Sequence, residues 1–327
     1  MRTVNLKDST AHPFLFFGGV LAFSIPFYVW GVFWPVHGLP YGLPATAIMI
    51  IIPATVATVL TRRERDSAAA WELWLGVIDV RRIGSSWWVA TALLFMPFVS
   101  LLSYAIMRPL GLMPSAVVYI PLAQTPVIFA LYFFGAIFEE VGWTGYVTEP
   151  LQGRYGIFGA GVIIGSVWAL WHVVPWWLGQ GHPASWVVAQ AIDTVAMRVV
   201  MGWMYAYGGR SLFTAIVFHA MINASFSLFP NEGSYYDPLV TAAVLIVIVG
   251  ANYFPHRGLD GLTVAGANLD VTSLVIDQQV GLLLHRLADR FRVGVRIHEH
   301  VGPAFVIPSN PVAPIRMEDE MRDHRAH

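Results

Sequence analysis

Five residues carry the chemistry that this sequence offers: Glu139, Glu140, His172, His219 and Asn223. The two glutamates stand side by side in "FEEVGWTGYV" (138–147), directly after one of the most apolar runs in the chain. His172 lies in "GSVWALWHVVPWW" and His219 in "SLFTAIVFHAMINASF", and these are the two of eleven histidines well inside apolar blocks. Asn223 follows His219 by four residues, so both project from one face of a helix. A carboxylate and an imidazole that share a water can remove its proton as it attacks a carbonyl. A second imidazole, with an amide one turn later, can donate hydrogen bonds to the oxyanion that forms. These groups suffice for peptide hydrolysis without a serine or cysteine nucleophile. Glu139, His172 and His219 could instead ligate a zinc ion as cofactor, leaving the fourth position to water. The sequence does not separate the two.

The elements that must position these groups are membrane helices. The chain has 327 residues, of which 56% are hydrophobic and 12% charged, and its mean hydropathy is +0.60. A helix needs roughly 20 mainly apolar residues to cross a bilayer. Blocks of that length read at about 14–33, 42–61, 87–107, 126–149, 157–179, 185–207, 211–229 and 237–254. They lack the period-two alternation of barrel strands, so the expected fold is an all-α polytopic transmembrane bundle of about eight spans. Residues 1–255 form that bundle, and 256–327 a polar cytoplasmic tail. The tail carries 17 of the 39 charged residues and one amphipathic helix marked by Val280, Leu283, Leu284, Leu287 and Phe291.

Basic residues set the expected orientation. With the amino terminus inside, Arg2, Lys7, Arg62, Arg63, Arg65, Arg81, Arg82, Arg154, Arg210 and Arg257 are cytoplasmic, against Arg108 on the other side. Both termini are then cytoplasmic, as in a bacterial inner-membrane protein. The first apolar block is long and lacks a small-residue cleavage site, so it reads as a retained span. The absence of cysteine excludes disulfides, thiolate metal sites and a cysteine nucleophile. The expected partners are a peptide or membrane-protein substrate and the lipid bilayer, not nucleic acid.

Prolines place the glutamate pair. Thr125 offers a capping hydroxyl and Pro126 a first helical position, while Pro150 disfavours helix at Glu149. The spacing predicts a helix over 126–149, about 36 Å long, with Glu139 fourteenth of its 24 residues and so near mid-membrane. Ionised carboxylates there cost roughly 2.5–3.5 kcal/mol each on insertion scales, which marks a functional site. Counting from a turn at Arg154, Glu139 and His172 lie at similar depths, and His219 and Asn223 are within reach after tilt. The same count puts the glutamates nearer the far leaflet. Asp193 and Arg198 are further charges inside a span, expected as an internal ion pair or hydrogen-bond anchor between helices. Gly161 and Gly165 read as a small-residue contact for close helix approach. Residues 62–86 read as a basic loop with an interfacial helix, and "HEH" at 298–300 lacks a metal-binding spacing.

The motifs "EEVGWT", "WALWH" and "HAMIN", in that order on three separate spans, resemble the CAAX protease and bacteriocin-processing family (CPBP, or Abi) over roughly 120–230. Its pattern is Glu-Glu-x-x-x-Arg, then Phe-x-x-x-His, then His-x-x-x-Asn. The resemblance implies an intramembrane endopeptidase in which Glu139 and His172 activate water and His219 and Asn223 stabilise the oxyanion. It makes Glu140 an auxiliary acid. CAAX-type or bacteriocin-type peptide processing, or self-immunity, would be its work. Trp168 replaces the family's Phe, a mild exchange. Thr144 replaces its Arg, and a hydroxyl brings no positive charge. Glu140 must then be protonated or find another cation, for which Arg198 is the candidate. The alternatives from other classes are a non-proteolytic scaffold or immunity protein and a proton-coupled transporter using the same buried acids.

Overall fold

The structure, a computed structural model, describes residues 11–33, 45–113, 120 and 122–253. Among these residues there are nine α-helices and no strand. They are α1 (Pro13–Phe33), α2 (Ile51–Glu64), α3 (Ser67–Leu75), α4 (Ser86–Met107), α5 (Thr125–Trp143), α6 (Thr148–Val174), α7 (Ala184–Tyr207), α8 (Leu212–Leu228) and α9 (Pro238–Tyr253). Each of the eight expected spans carries one of these helices, and α3 forms within the basic loop. Five segments are long and apolar enough to cross a membrane: Pro13–Phe33, Ser86–Met107, Leu122–Trp143, Thr148–Gly179 and Ala184–Tyr207. The helices α8 and α9 are shorter and apolar, and α2 has 14 residues preceded by a 3-10 turn over Ala45–Ile50. The "HEH" segment and the amphipathic tail pattern lie outside the described residues.

Local chemistry fixes several boundaries. Ser85 accepts a hydrogen bond from the Trp87 amide at the start of α4, and Ser211 does the same for Thr214 at the start of α8. Thr125 is already helical, and its hydroxyl caps nothing. Contrary to the expected helix over 126–149, α5 ends at Trp143 and a buried turn follows over 144–147. Both the Thr144 and Gly145 amides donate to the Glu140 carbonyl, and the Thr148 hydroxyl donates to the carbonyl of Trp143 at 2.8 Å. Those bonds satisfy backbone groups that lipid could not. Pro150 does not end α5; it lies in the first turn of α6, where a missing N–H is harmless. The Arg154 turn is realised as a sharp break at Gly156 (φ 70°, ψ 172°) inside α6.

Helix α7 is the central element, packed against α6, α8 and α9. Its closest neighbour is α6, because a Cβ at Gly161 would come within 2.8 Å of the Val199 Cα and one at Gly165 within 2.8 Å of the Val195 Cα. At Gly142 an added Cβ would lie 2.7 Å from the Pro53 carbonyl, so α5 is pressed equally hard on α2. One end of the bundle gathers the arginines. There Tyr146 donates to Glu64 beside Arg62 and Arg63, Arg210 pairs with Glu149 at 3.5 Å, and the Gly84 amide beyond Arg81 and Arg82 reaches the Gly208 carbonyl.

Candidate active site

The last turn of α5, the carboxyl half of α6, the middle of α7 and the first half of α8 meet around one tryptophan. The Trp168 indole N–H donates to Glu139 Oε2 at 2.9 Å. Its ring lies edge-on to His172 and to His219, with centroids 5.6 and 5.1 Å away, and the Arg198 guanidinium stands 5.6 Å over its face. Sequence reasoning gave Trp168 only a supporting place; the aromatic density of "WALWHVVPWW" was the available signal. Both glutamates are buried, Glu139 to 6% exposure and Glu140 to 0%.

The two carboxylates live in different surroundings. Glu140 receives Arg198 Nη1 at 2.9 Å on Oε1 and 2.8 Å on Oε2, His219 Nδ1 at 2.8 Å, and the hydroxyl of Thr144. Arg198 Nη2 also donates to the Thr144 hydroxyl at 3.2 Å. Every partner is a donor, so Glu140 is an ionised carboxylate fully engaged in holding its neighbours. Arg198 is itself 1% exposed and does not pair with Asp193. Asp193 instead accepts from Tyr236 at 2.5 Å, a hydrogen-bond anchor on the other side of α7. Glu139 is different. Among the described residues only the Trp168 indole donates to it.

The histidines are fixed by opposite kinds of acceptor. His172 Nδ1 lies 2.8 Å from the Trp168 carbonyl, which can only accept, so Nδ1 carries the hydrogen and Nε2 holds a lone pair. His219 Nδ1 donates to Glu140, leaving Nε2 to point elsewhere. Asn223 follows one turn later on α8, half-buried, and its side chain makes no hydrogen bond among the described residues.

Depth differs from the expectation. Counted along their helices, Glu139 lies four residues (about 6 Å) from the end of α5, His219 seven (about 10 Å) from the start of α8 and Arg198 nine (about 14 Å) from the end of α7. All three ends are at the arginine side of the bundle. The glutamates therefore lie closer to the arginine end of the bundle than a count that runs α5 on to Glu149 makes them.

Residues 121–225 match the family model described as type II CAAX prenyl endopeptidase, Rce1-like. A curated protein named CAAX prenyl protease 2, from Methanococcus maripaludis, is 26% identical over 187 residues, covering 53% of this chain and 68% of that protein. The match spans all three motifs in their order. Residues 121–225 belong to the CAAX protease and bacteriocin-processing family.

Within that CPBP domain, the motif cation missing at Thr144 has a counterpart arriving from another helix, since Arg198 of α7 lies against the Thr144 hydroxyl and the Glu140 carboxylate together. The family assignment, with several apolar helices, makes this a multi-pass membrane protein of a protease family. Among the described residues no three His, Asp or Glu side chains gather closely enough to hold a metal ion. His219 gives Nδ1 to Glu140 and His172 gives Nδ1 to a carbonyl, which leaves Nε2 of each free, so it is the spacing of Glu139, His172 and His219, and not the use of their ring nitrogens, that keeps them from forming such a cluster.

Proposed function

We propose that this CPBP protein is an intramembrane endopeptidase in which Glu139 is the base, assisted by His172. The observation that carries this reading is the inequality of the two acids: Glu140 is consumed by Arg198, His219 and Thr144, whereas Glu139 keeps an oxygen for water. A water between Glu139 and the His172 Nε2 lone pair gives up a proton to them as its oxygen bonds to the scissile carbonyl carbon. The carbonyl electrons move onto oxygen, where His219 Nε2–H and the Asn223 amide receive the charge. For that task His219 is protonated on both nitrogens, its second hydrogen held by Glu140. Two carboxylates, one guanidinium and one imidazolium then balance to zero within a buried volume, which suits a low-dielectric site. When the tetrahedral adduct collapses, the carbon–nitrogen bond breaks and the departing amine takes the stored proton.

The substrate proposed is a peptide segment close to the membrane surface on the arginine side. Because its relative is named a CAAX prenyl protease, a prenylated CAAX-type carboxyl-terminal peptide is the first to test. The excess of arginine at that end supports a cytoplasmic position for it, with both termini on the same side. The test is incubation of purified protein in detergent with prenylated and unprenylated peptides, read by mass spectrometry. Cleavage is expected from wild type, unchanged by a chelator, with Glu139→Gln slower by about 10²–10⁴-fold. A Glu139→Gln protein that cleaves at the wild-type rate removes the mechanism, and solute flux through proteoliposomes without cleavage would favour the transporter reading.

A further inference from the structure

His172 is held by more than its hydrogen bond. The Trp176 indole lies nearly parallel to the imidazole, with centroids 5.2 Å apart and planes 19° apart. Trp176 meets Trp186 edge-on at 6.2 Å, and Trp186 stacks on His182 at 3.7 Å and 9°. Four rings therefore run without interruption from the candidate base to the loop before α7. Each of the four side chains is half-buried.

The backbone is shaped to present this ladder. Residues Pro175–Gly179 continue α6 as a π-helix, a form that is rare and concentrated at functional sites. Pro175 has no N–H to give the Trp171 carbonyl, and the Tyr28 hydroxyl supplies the missing donor at 2.6 Å. The wider turn leaves room for the Trp176 ring to lie flat on His172. It is closed by Gln180 N to the Pro175 carbonyl (2.8 Å) and by His182 N to the Trp176 carbonyl (3.1 Å), with Gly181 at φ +73° making the reversal. The bland account is an aromatic belt at the membrane interface. Trp177 fits that account at 54% exposure, but its neighbour Trp176 turns inward onto the imidazole.

We infer that Trp176 is a positioning residue, which fixes the plane of the His172 ring so that the Nε2 lone pair stays aimed at the water beside Glu139. The hydrogen bond to the Trp168 carbonyl sets which nitrogen is protonated, and Trp168 and Trp171 meet the ring edge-on. Of the three indoles Trp176 alone lies nearly parallel to the imidazole, and its flat face is what fixes the ring plane. This inference rests on the hydrolase reading for its kinetic consequence, and on His172 alone for its structural one.

The test compares Trp176→Leu, which keeps apolar volume and loses the flat face, with Trp176→Phe, which keeps a ring. On a peptide that wild type cleaves, Trp176→Leu is expected to lower kcat about tenfold with KM within about twofold, as loss of orientation does. Trp176→Phe should stay within about threefold of wild type, and Trp177→Ala should match it. In parallel, ¹³C-histidine NMR in micelles, with the His172 signal assigned by its loss in His172→Gln, should show one sharp ring environment in wild type and a broadened or split one in Trp176→Leu. Wild-type kcat in Trp176→Leu, an unchanged His172 signal, or an equal loss in Trp177→Ala would each overturn the proposal. If Trp176→Leu does not fold, Trp186→Leu loosens the same ladder one ring further out and is judged by the same outcomes. If wild type cleaves no peptide the hydrolase reading fails, and the NMR signal still decides whether Trp176 orders the ring.

Discussion

Two corners of one site are built from different materials. Around Glu140 the side chains are locked by charge: one guanidinium nitrogen shared between both oxygens, an imidazole N–H and a hydroxyl converge on one buried carboxylate. Around His172 they are locked by shape, with Trp168, Trp171 and Trp176 enclosing a ring that makes a single hydrogen bond to a carbonyl. A buried charge that loses its partner has no solvent to fall back on, so the first corner should fail abruptly. Flat apolar surfaces can be replaced by others of similar size, so the second should degrade by degrees.

The largest effect is expected at Arg198. Arg198→Met takes the guanidinium from Glu140 and leaves the buried cluster with an unbalanced negative charge, which should cost about 3–5 kcal/mol of stability, read as a drop in the unfolding midpoint in detergent. Adding Thr144→Arg to that variant, which restores a cation one turn after Glu140, should recover part of the midpoint and of the cleavage rate. No recovery would mean that the position of the charge matters beyond its sign. Next is Thr144→Val, which keeps the shape and deletes a hydroxyl bonded to the charged pair, at about 1.5–3 kcal/mol by the same measurement. The smallest is Trp168→Phe, which keeps a smaller ring against both histidines and loses the N–H to Glu139, whose other oxygen stays open to water. Its stability should change by about 1 kcal/mol, and a loss as large as that of Arg198→Met would break the contrast between the corners.

Each apolar block marked one helix, five of them in segments long enough to cross a membrane, since lipid imposes a length and a composition that few other pressures imitate. Glu139, Glu140, His172 and His219 could be picked out because polar groups are costly in such blocks, and Thr144 standing where the family pattern has Arg pointed to Arg198 as the missing cation. The end of α5 was misread. Pro150 looked like a helix stop, whereas Gly142 and Gly145 allowed the chain to bend earlier, against Pro53 and Leu73, through contacts that only packing reveals. Trp176 was invisible for a related reason. Its role depends on a π turn and on Tyr28 from α1 completing that turn, and no spacing within 168–180 announces either.

Supplying the cation from α7 has a mechanical consequence. A motif that keeps acid and base on one helix leaves that helix able to slide past its neighbours with the pair intact. Here the pair bridges two separate rods, Glu140 on one and Arg198 on the other, and any axial slip would pull opposite charges apart in an oily interior. The bundle is thereby cross-bolted at the level of its buried acids, and these two helices are the ones least free to slide past each other.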